Sequence, residues 1–365
     1  MDTSDRSITF DTAGHCNHCR GYLARRALLE LNLVEGKFEA ACDHIRRLGA
    51  DAPYDCVVGV SGGADSTYVT YRAVEAGLRV LAVHVDNGWD TPLAVRNVKN
   101  LVERLAIDYQ SAVLDWDEFR DLQLAFFKAS VPEIETPTDI AIPAALHRMA
   151  AHHGVRTIVS GGNPWTEGIL PAPWHYDAKD LTYLHAVHRR FGTGRLRTFP
   201  TFGYREEAYY KLVRRIRFAY LLENVRYRTD EVAAILRERL AWSRPSGKHH
   251  ESVITRFVQS YVLPTKFGID YRRATFSNRI CAGELAREEA LHELEHAPYR
   301  DVQLADDMRY VAKKLGLTQE AFAEILAAPP KSHRDYPNDE RFLQALYWVY
   351  RRTLSQRPPD LTAAR

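Results

Sequence analysis

"DCVVGVSGGADSTYV", residues 55–69, sets a β-branched run directly before two glycines, an aspartate and hydroxyl residues, and then resumes with residues that suit a helix. This order predicts a buried strand, a tight loop and a helix N-terminus, where unpaired backbone N–H groups and the helix dipole favour an anion. Gly62 and Gly63 let the main chain approach that anion closely, and Ser61 and Ser66 add hydroxyl donors. Two familiar phosphate loops do not fit. No lysine stands where a Walker A loop needs one, and "GVSGGAD" lacks the G-x-G-x-x-G spacing of a dinucleotide turn.

Outward from this stretch, short apolar runs alternate with amphipathic segments. "CVVGV", "LRVLAVHV", "YQSAVL" and "VRTIVSGG" read as strands; "DSTYVTYRAVEA" closed by Gly77, "PLAVRNVKNLVERL" with Pro92 in its first turn, and "AALHRMAAHHG" read as helices. The alternation predicts an α/β fold, a Rossmann-like parallel sheet with covering helices, whose ligands bind outside the carboxyl ends of the strands. Beyond about Asn163 the pattern changes. "NPWTEGILPAPWHYDAKD" reads as a long functional loop, followed by helices at "REEAYYKLVRRIRFAYLLENV", "TDEVAAILRERL" with Thr229 as N-cap, and "ESVITRFVQSYVL". The expected division is an N-terminal Cys-pair segment (1–50), an α/β domain (51–190), a mostly helical region (191–300) and a C-terminal helical subdomain (301–365).

With 45% hydrophobic and 26% charged residues, the composition is that of an ordinary globular protein. No run of about 18 apolar residues occurs, and "MDTSDRSITFD" is too polar for a signal peptide, so no membrane partner and a cytoplasmic location are expected. Five scattered cysteines are too few for a disulfide framework. The segment from Arg189 to Arg273 holds 19 Lys and Arg against 8 Asp and Glu, which suits the phosphates of a substrate, nucleic acid, or solvated helix faces. Cys16 and Cys19 have the C-x₂-C spacing of zinc sites and supply half of one. Cys281 reads as packing, since nothing in "NRICAGEL" would lower its pKa.

"SGGADS" resembles the SGGxDS signature of the PP-loop ATP pyrophosphatases, the adenine nucleotide alpha hydrolase type of fold. The resemblance implies that Ser61, Gly62, Gly63, Asp65 and Ser66 hold the pyrophosphate part of ATP, with Asp65 beside Mg²⁺. Asp86, Asn87 and Gly88 at the end of the second strand become candidates for the adenosine. Gly161 and Gly162 form a second glycine-rich turn facing the same crevice, and Glu167 is a candidate for a second Mg²⁺ or substrate contact.

A narrower resemblance spans most of the chain. "MDTSDRSITFDTAGHCNHCRGY", "GGNPWTEGILPAPWHYDAKDL", "FGTGRLRTFP" and "GKHHESVITRFVQSYVLPTKFGIDYRRATFSNRICAGELAREEAL" look like the N-acetyl sugar amidotransferase family of surface-polysaccharide (LPS O-antigen type) biosynthesis. Members convert the acetamido group of a nucleotide-activated sugar to an acetamidino group. The resemblance implies ATP, Mg²⁺, a nucleotide-activated N-acetyl sugar and ammonia from a separate glutaminase, since no glutamine-hydrolysing stretch is visible. Asn163, Trp165, Trp174 and Tyr176 are candidates for the substrate, as are Lys266, Arg272 and Arg273 for its diphosphate. Lys248, His249 and His250 gather before a helix, where a lysine suits phosphate and a histidine can take a proton from ammonia. The family usually carries further cysteine upstream of its MDTSD-like segment, whereas this chain begins at Met1. Either the start is truncated or misassigned, or residues such as His15, His18, Cys42 or Cys281 complete a structural zinc site with Cys16 and Cys19. A PP-loop enzyme that thiolates tRNA or forms lysidine is the alternative. It lacks the RNA-binding appendage with interleaved aromatics, and nucleic acid is not the expected partner.

Overall fold

The computed structural model describes residues 1–299 and 301–345. Two helices, α1 (Asn17–Glu30) and α2 (Lys37–Leu48), precede a parallel sheet. Its first half runs β1 (Cys56–Gly59), α3 (Ala64–Glu75), β2 (Val80–Asp86), α4 (Pro92–Leu105) and β3 (Asp108–Val113). Then come α5 (Trp116–Ala129), α6 (Thr136–His152), β4 (Thr157–Val159), α7 (Pro164–Glu167), α8 (Leu181–Phe191), α9 (Tyr204–Ala208) and β5 (Arg217–Ala219). The remainder is helical: α10 (Thr229–Leu240), α11 (Val253–Phe257), α12 (Tyr271–Ala282), α13 (Arg287–Glu295), α14 (Asp301–Lys314) and α15 (Gln319–Ala327). The α/β parallel-sheet expectation holds, with a largely helical C-terminal part.

The strand order is β3-β2-β1-β4-β5, every pair parallel. Successive strand residues point to opposite faces; β1, β4 and the first half of β2 are buried on both and read as apolar runs, whereas the edge strand β3 is largely exposed. Val58, Val80 and Ala82 pack with Tyr68 and Val69 of α3, Leu101 of α4 and Leu236 of α10. Val57, Leu81 and Val83 pack on the other face with Leu146 and Ala150 of α6. Gly59 admits this helix closely, because a β-carbon there would press on the Leu146 side chain. A third cluster joins Phe126, Tyr183, Phe257 and Phe322, residues far apart in sequence.

The chain leaves β1 toward β2 on one side and enters β4 on the other. That reversal opens a crevice at the carboxyl ends of β1 and β4, the usual ligand position in open α/β sheets.

Three local expectations are corrected. The helix expected over 205–225 is interrupted: α9 passes into a π-helical turn at Tyr209–Val213, Arg215 adopts a positive φ of 57°, and Arg217–Ala219 pairs with β4 as the fifth strand. Ile216 is buried under the sheet, and this packing overrides the helical spacing. Thr229 is the first helical residue of α10 rather than its N-cap, which is Arg228. "ESVITRFVQSYVL" forms α11 followed by a π-helical stretch, Val258–Phe267, with Pro264 inside it. Residues 346–365 of the expected C-terminal subdomain lie outside the described residues.

Candidate functional site

The loop after β1 is held from behind. Gly62, at φ 81°, packs against the Ala94 backbone, and its carbonyl accepts both Asn97 Nδ2 at 3.0 Å and Trp242 Nε1 at 2.9 Å. Two donors on one carbonyl fix the peptide plane of the loop. Asn97 also exchanges hydrogen bonds with the Ser243 backbone, tying α4 to the segment after α10. In front, Ser61 Oγ and Ser66 Oγ lie 3.2 Å apart, and Gly63 is the N-cap of α3. The loop therefore presents two hydroxyls and the first amides of a twelve-residue helix to the crevice.

Three distant segments meet there. Asp65 accepts a hydrogen bond from Asn163 Nδ2 at 2.8 Å and another from Tyr227. Lys248 Nζ stands 4.0 Å from Asp65 and 3.3 Å from Glu167, and it donates to Thr166 Oγ1 at 3.0 Å. His249 Nε2 lies 3.7 Å from the same Glu167 oxygen, its backbone at φ 62°. Gly161 packs on the Ser66 backbone, so the second glycine turn touches the first; Gly162 N–H donates to Ser160 Oγ at 3.0 Å. Trp165 is buried, bonded through Nε1 to the Leu222 carbonyl.

Sequence reasoning left one carboxylate of this cluster unassigned. Glu251 lies over Gly63, and burial together with the Asp65 charge pushes its carboxyl up to about 7. Its backbone carbonyl accepts Thr91 N–H at 2.8 Å, and Val253 N–H donates to Trp89 O at 2.8 Å. These bonds fasten the 251–253 segment to the turn after β2. The signal was present in "GKHHES", where one more acidic residue follows the lysine. Asn97 and Trp242 had no signal, because both act through a backbone carbonyl far away in sequence.

The turn Asp86–Gly88 is tight. Asp86 accepts Gly88 N–H at 2.8 Å, and Asn87, buried, bonds Trp89 N–H and the Thr138 hydroxyl. Gly88 is covered by Trp116 and Lys314. Glu135, beside this turn, accepts the Thr255 hydroxyl, and burial with the Asp139 charge pushes its carboxyl up to about 7.

Other expected residues are engaged elsewhere. The His250 ring lies between Ser246 Oγ at 3.0 Å and Ser260 Oγ at 3.3 Å, and burial with the charge of Arg256 pushes it down to about 4. Lys266 donates to the Ile325 carbonyl at 3.2 Å, Arg272 to Asp270 and to the His296 carbonyl, and Arg273 pairs with Asp2. Trp174 stacks on Tyr271, and Tyr176 stacks on His333 while donating to Asp180 at 2.6 Å.

Two metals were expected. Asp65 and Glu167 beside the glycine loop fit Mg²⁺, an ion usually held by one or two carboxylates and completed by substrate phosphates. For zinc, Cys16 and Cys19 are joined by Cys281. Among the described residues no group of three or more His, Cys, Asp or Glu side chains is placed to hold an ion.

The parallel sheet with its glycine loop at the β1–β4 reversal defines the PP-loop class of ATP-using α/β proteins. Residues 55–144 match the family model for the queuosine biosynthesis protein QueC, and residues 251–352 that for the C-terminal domain of the LPS biosynthesis protein WbpG and its like. The chain thus carries a PP-loop region followed by a WbpG-like C-terminal region, a pairing that supports the likeness to the N-acetyl sugar amidotransferases of LPS biosynthesis. It is an ATP-dependent enzyme of the PP-loop kind. No curated protein matches the sequence. Among solved structures, NMN synthetase from Francisella tularensis is similar at 15% identity and TM-score 0.36, covering 77% of this chain and 97% of that one. The NH3-dependent NAD synthetase of Campylobacter jejuni shares 16% identity over 56% of this chain and 92% of its own, at TM-score 0.29. The U34-tRNA thiolase NcsA of Methanococcus maripaludis shares 17% over 72% and 81%, at 0.33. Among the described residues, no helix is long and apolar enough to cross a membrane.

Proposed function

We propose that the chain activates the acetamido group of a nucleotide-linked N-acetyl sugar with ATP and replaces its oxygen with ammonia, giving an acetamidino group, AMP and pyrophosphate. The observation that carries this reading is where the WbpG-like domain begins. Lys248 reaches Asp65 and Glu167, and Glu251 covers Gly63, so the substrate-side region starts on the loop that cradles phosphate.

An amide carbonyl is a poor electrophile with a poor leaving group. Its oxygen attacks the α-phosphate of ATP, the amide nitrogen gives up its proton, and pyrophosphate leaves, producing an O-adenylyl imidate. Ammonia adds to the imidate carbon, AMP departs with the oxygen, and a C=N bond to the new nitrogen remains. In this reading Ser61, Gly62, Gly63 and Ser66 hold the pyrophosphate, Lys248 neutralises charge on the phosphates, and Asp86, Asn87, Gly88, Gly161 and Gly162 line the nucleotide. Asp65 and Glu167 would hold Mg²⁺, which neutralises the leaving pyrophosphate. Positioning and charge neutralisation supply most of what such a transfer needs. Asn163 fixes Asp65, while His249, beside Glu167, is the histidine placed to take a proton. Trp165, Trp174 and Tyr176 shape the walls rather than lending polar groups. In this reading 1–50 is the Cys-pair segment, 51–190 the ATP-binding domain, 191–300 the sugar-nucleotide region and 301–365 a C-terminal subdomain, and ammonia comes from a separate glutaminase in a cytoplasmic setting.

The experiment is a panel of UDP- and CMP-linked N-acetyl sugars with ATP, Mg²⁺ and ammonium. AMP and pyrophosphate appearing together, with one sugar exchanging C=O for C=NH, is the expected result. ADP and phosphate, or AMP release driven by tRNA instead of a sugar, would refute it.

A further inference from the structure

The turn that leads into β5 carries apolar residues on its outside. Tyr209, Leu212 and Val213 expose 47%, 74% and 66% of their surface, whereas Tyr210 stacks on Phe202 and Ile216 is buried under the sheet. The turn is tied down at several points. Ile216 N–H donates to the Tyr210 carbonyl at 2.9 Å, Arg214 N–H to that of Tyr209 at 3.2 Å, and the Arg214 guanidinium to the Ala151 carbonyl at 2.9 Å. Arg215, at φ 57°, then swings the chain into its pairing with β4. With Tyr210 and Ile216 fixed inward, Leu212 and Val213 stay out.

Positive charge surrounds this apolar tip. Residues 208–219, AYYKLVRRIRFA, hold the cations Lys211, Arg214, Arg215 and Arg217 and no acid. All four are exposed, and among the described residues none of them forms an ion pair. Arg156, exposed just before β4, lies beside them, its carbonyl accepting Arg217 N–H at 3.0 Å. A single exposed leucine is ordinary on a protein surface; three large apolar side chains within one turn, ringed by cations that have no acidic partner, are not.

We propose that this turn is a peripheral docking surface for an anionic lipid bilayer, with Leu212 and Val213 entering the headgroup boundary and the four cations meeting lipid phosphates. A bilayer fits better than other polyanions. The summit is aliphatic, which suits acyl chains, whereas single-stranded nucleic acid is gripped by aromatic stacking. Position argues the same way. The turn enters β5 at its amino end and touches Ala151 near the C-terminus of α6, so it lies across the sheet from the crevice at the strands' carboxyl ends. A protein that feeds the crevice would dock at the other end. On a membrane this orientation leaves the crevice facing water, open to soluble ligands. No spanning segment is needed, since surface contact of this kind takes only apolar area and basic charge.

The test sediments the full-length chain with vesicles of equal parts phosphatidylcholine and phosphatidylglycerol, and with phosphatidylcholine alone. The protein should pellet with the anionic vesicles and stay in solution with the neutral ones, and raised salt should release it. Each cation near an anionic surface strengthens partitioning about fivefold, so Lys211→Gln with Arg215→Gln should weaken it roughly 25-fold. Lys211→Glu alone, away from the positive φ of Arg215, is a second variant that should act in the same direction. Leu212→Ser with Val213→Ser should weaken binding about tenfold at fixed salt. All of these side chains are exposed, so the urea midpoint should hold in each variant. Failure to pellet with anionic vesicles, equal pelleting with both vesicle types, or unchanged binding in the cation and aliphatic variants would overturn the proposal. So would capture of tRNA or of an acidic protein through these residues by a chain that ignores vesicles. Neither ATP nor sugar enters the assay, so its outcome is separate from that of the proposed reaction.

Discussion

The carboxylate of Glu251 rests against the open face of Gly63, in the place where a β-carbon would stand. An acidic group from the WbpG-like domain thereby shapes the first helical turn of the nucleotide loop. Gly63→Ala must displace it, and overpacking of this kind costs about 1–3 kcal/mol. The urea midpoint should fall accordingly, and adding Glu251→Ala should restore most of the loss. If the double variant lost the sum of the two single effects, the two residues would not be in conflict.

Lys248 is the cation that stands between Asp65 and Glu167. Lys248→Met should lower AMP formation by about 100-fold or more, the scale seen when a charge-stabilising donor is removed. Its thermal midpoint should move little, because the lysine and both carboxylates keep contact with water. Lys248→Arg should recover only part of the rate, since a planar fork does not replace a point charge. Full activity in the methionine variant would remove Lys248 from the reaction.

Asn97 and Trp242 hold the Gly62 carbonyl from behind. Trp242→Phe removes one of two donors and should cost about 1 kcal/mol. Asn97→Ala should cost more, roughly 2–3 kcal/mol, because it also strips partners from the Ser243 backbone. Both should raise the ATP concentration needed for half-maximal rate more than they lower the maximal rate. Denaturant titration and steady-state kinetics check the two halves.

The His250 ring, pushed down to about 4 from 6.5, is neutral at physiological pH. A depressed folded value means that its stabilisation is present above about 6.5 and is lost as pH falls toward 4. His250→Gln should flatten that part of the acid stability profile, measured as urea midpoints between pH 7 and 4. Any limb of the rate profile near neutrality should survive the substitution; its disappearance would return His250 to proton transfer.

The sheet was legible because β1, β4 and the first half of β2 are buried on both faces, so each appeared as an apolar run beside a helix. Gly62, Gly63 and Asp65 were legible for a similar reason: backbone geometry at a phosphate loop demands particular residue types at fixed spacing. The fifth strand was not. "RFA" lies among arginines at helical spacing, and only pairing with Thr157–Val159 makes it a strand. The partners of the basic residues were only partly legible. Lys266 and Arg273 meet Ile325 and Asp2 through tertiary packing, whereas Arg272 pairs with Asp270 two residues away.

The short antiparallel link between residues 89–91 and 251–253 carries one last implication. Its two amide bonds, Thr91 to Glu251 and Val253 to Trp89, flank the bridge of Asp90 with Ser252. Bonds so arranged break in one cooperative event rather than singly. The amide hydrogens of Thr91 and Val253 should exchange with solvent deuterium at matching rates despite their separation in sequence, and both should slow together once nucleotide fills the crevice.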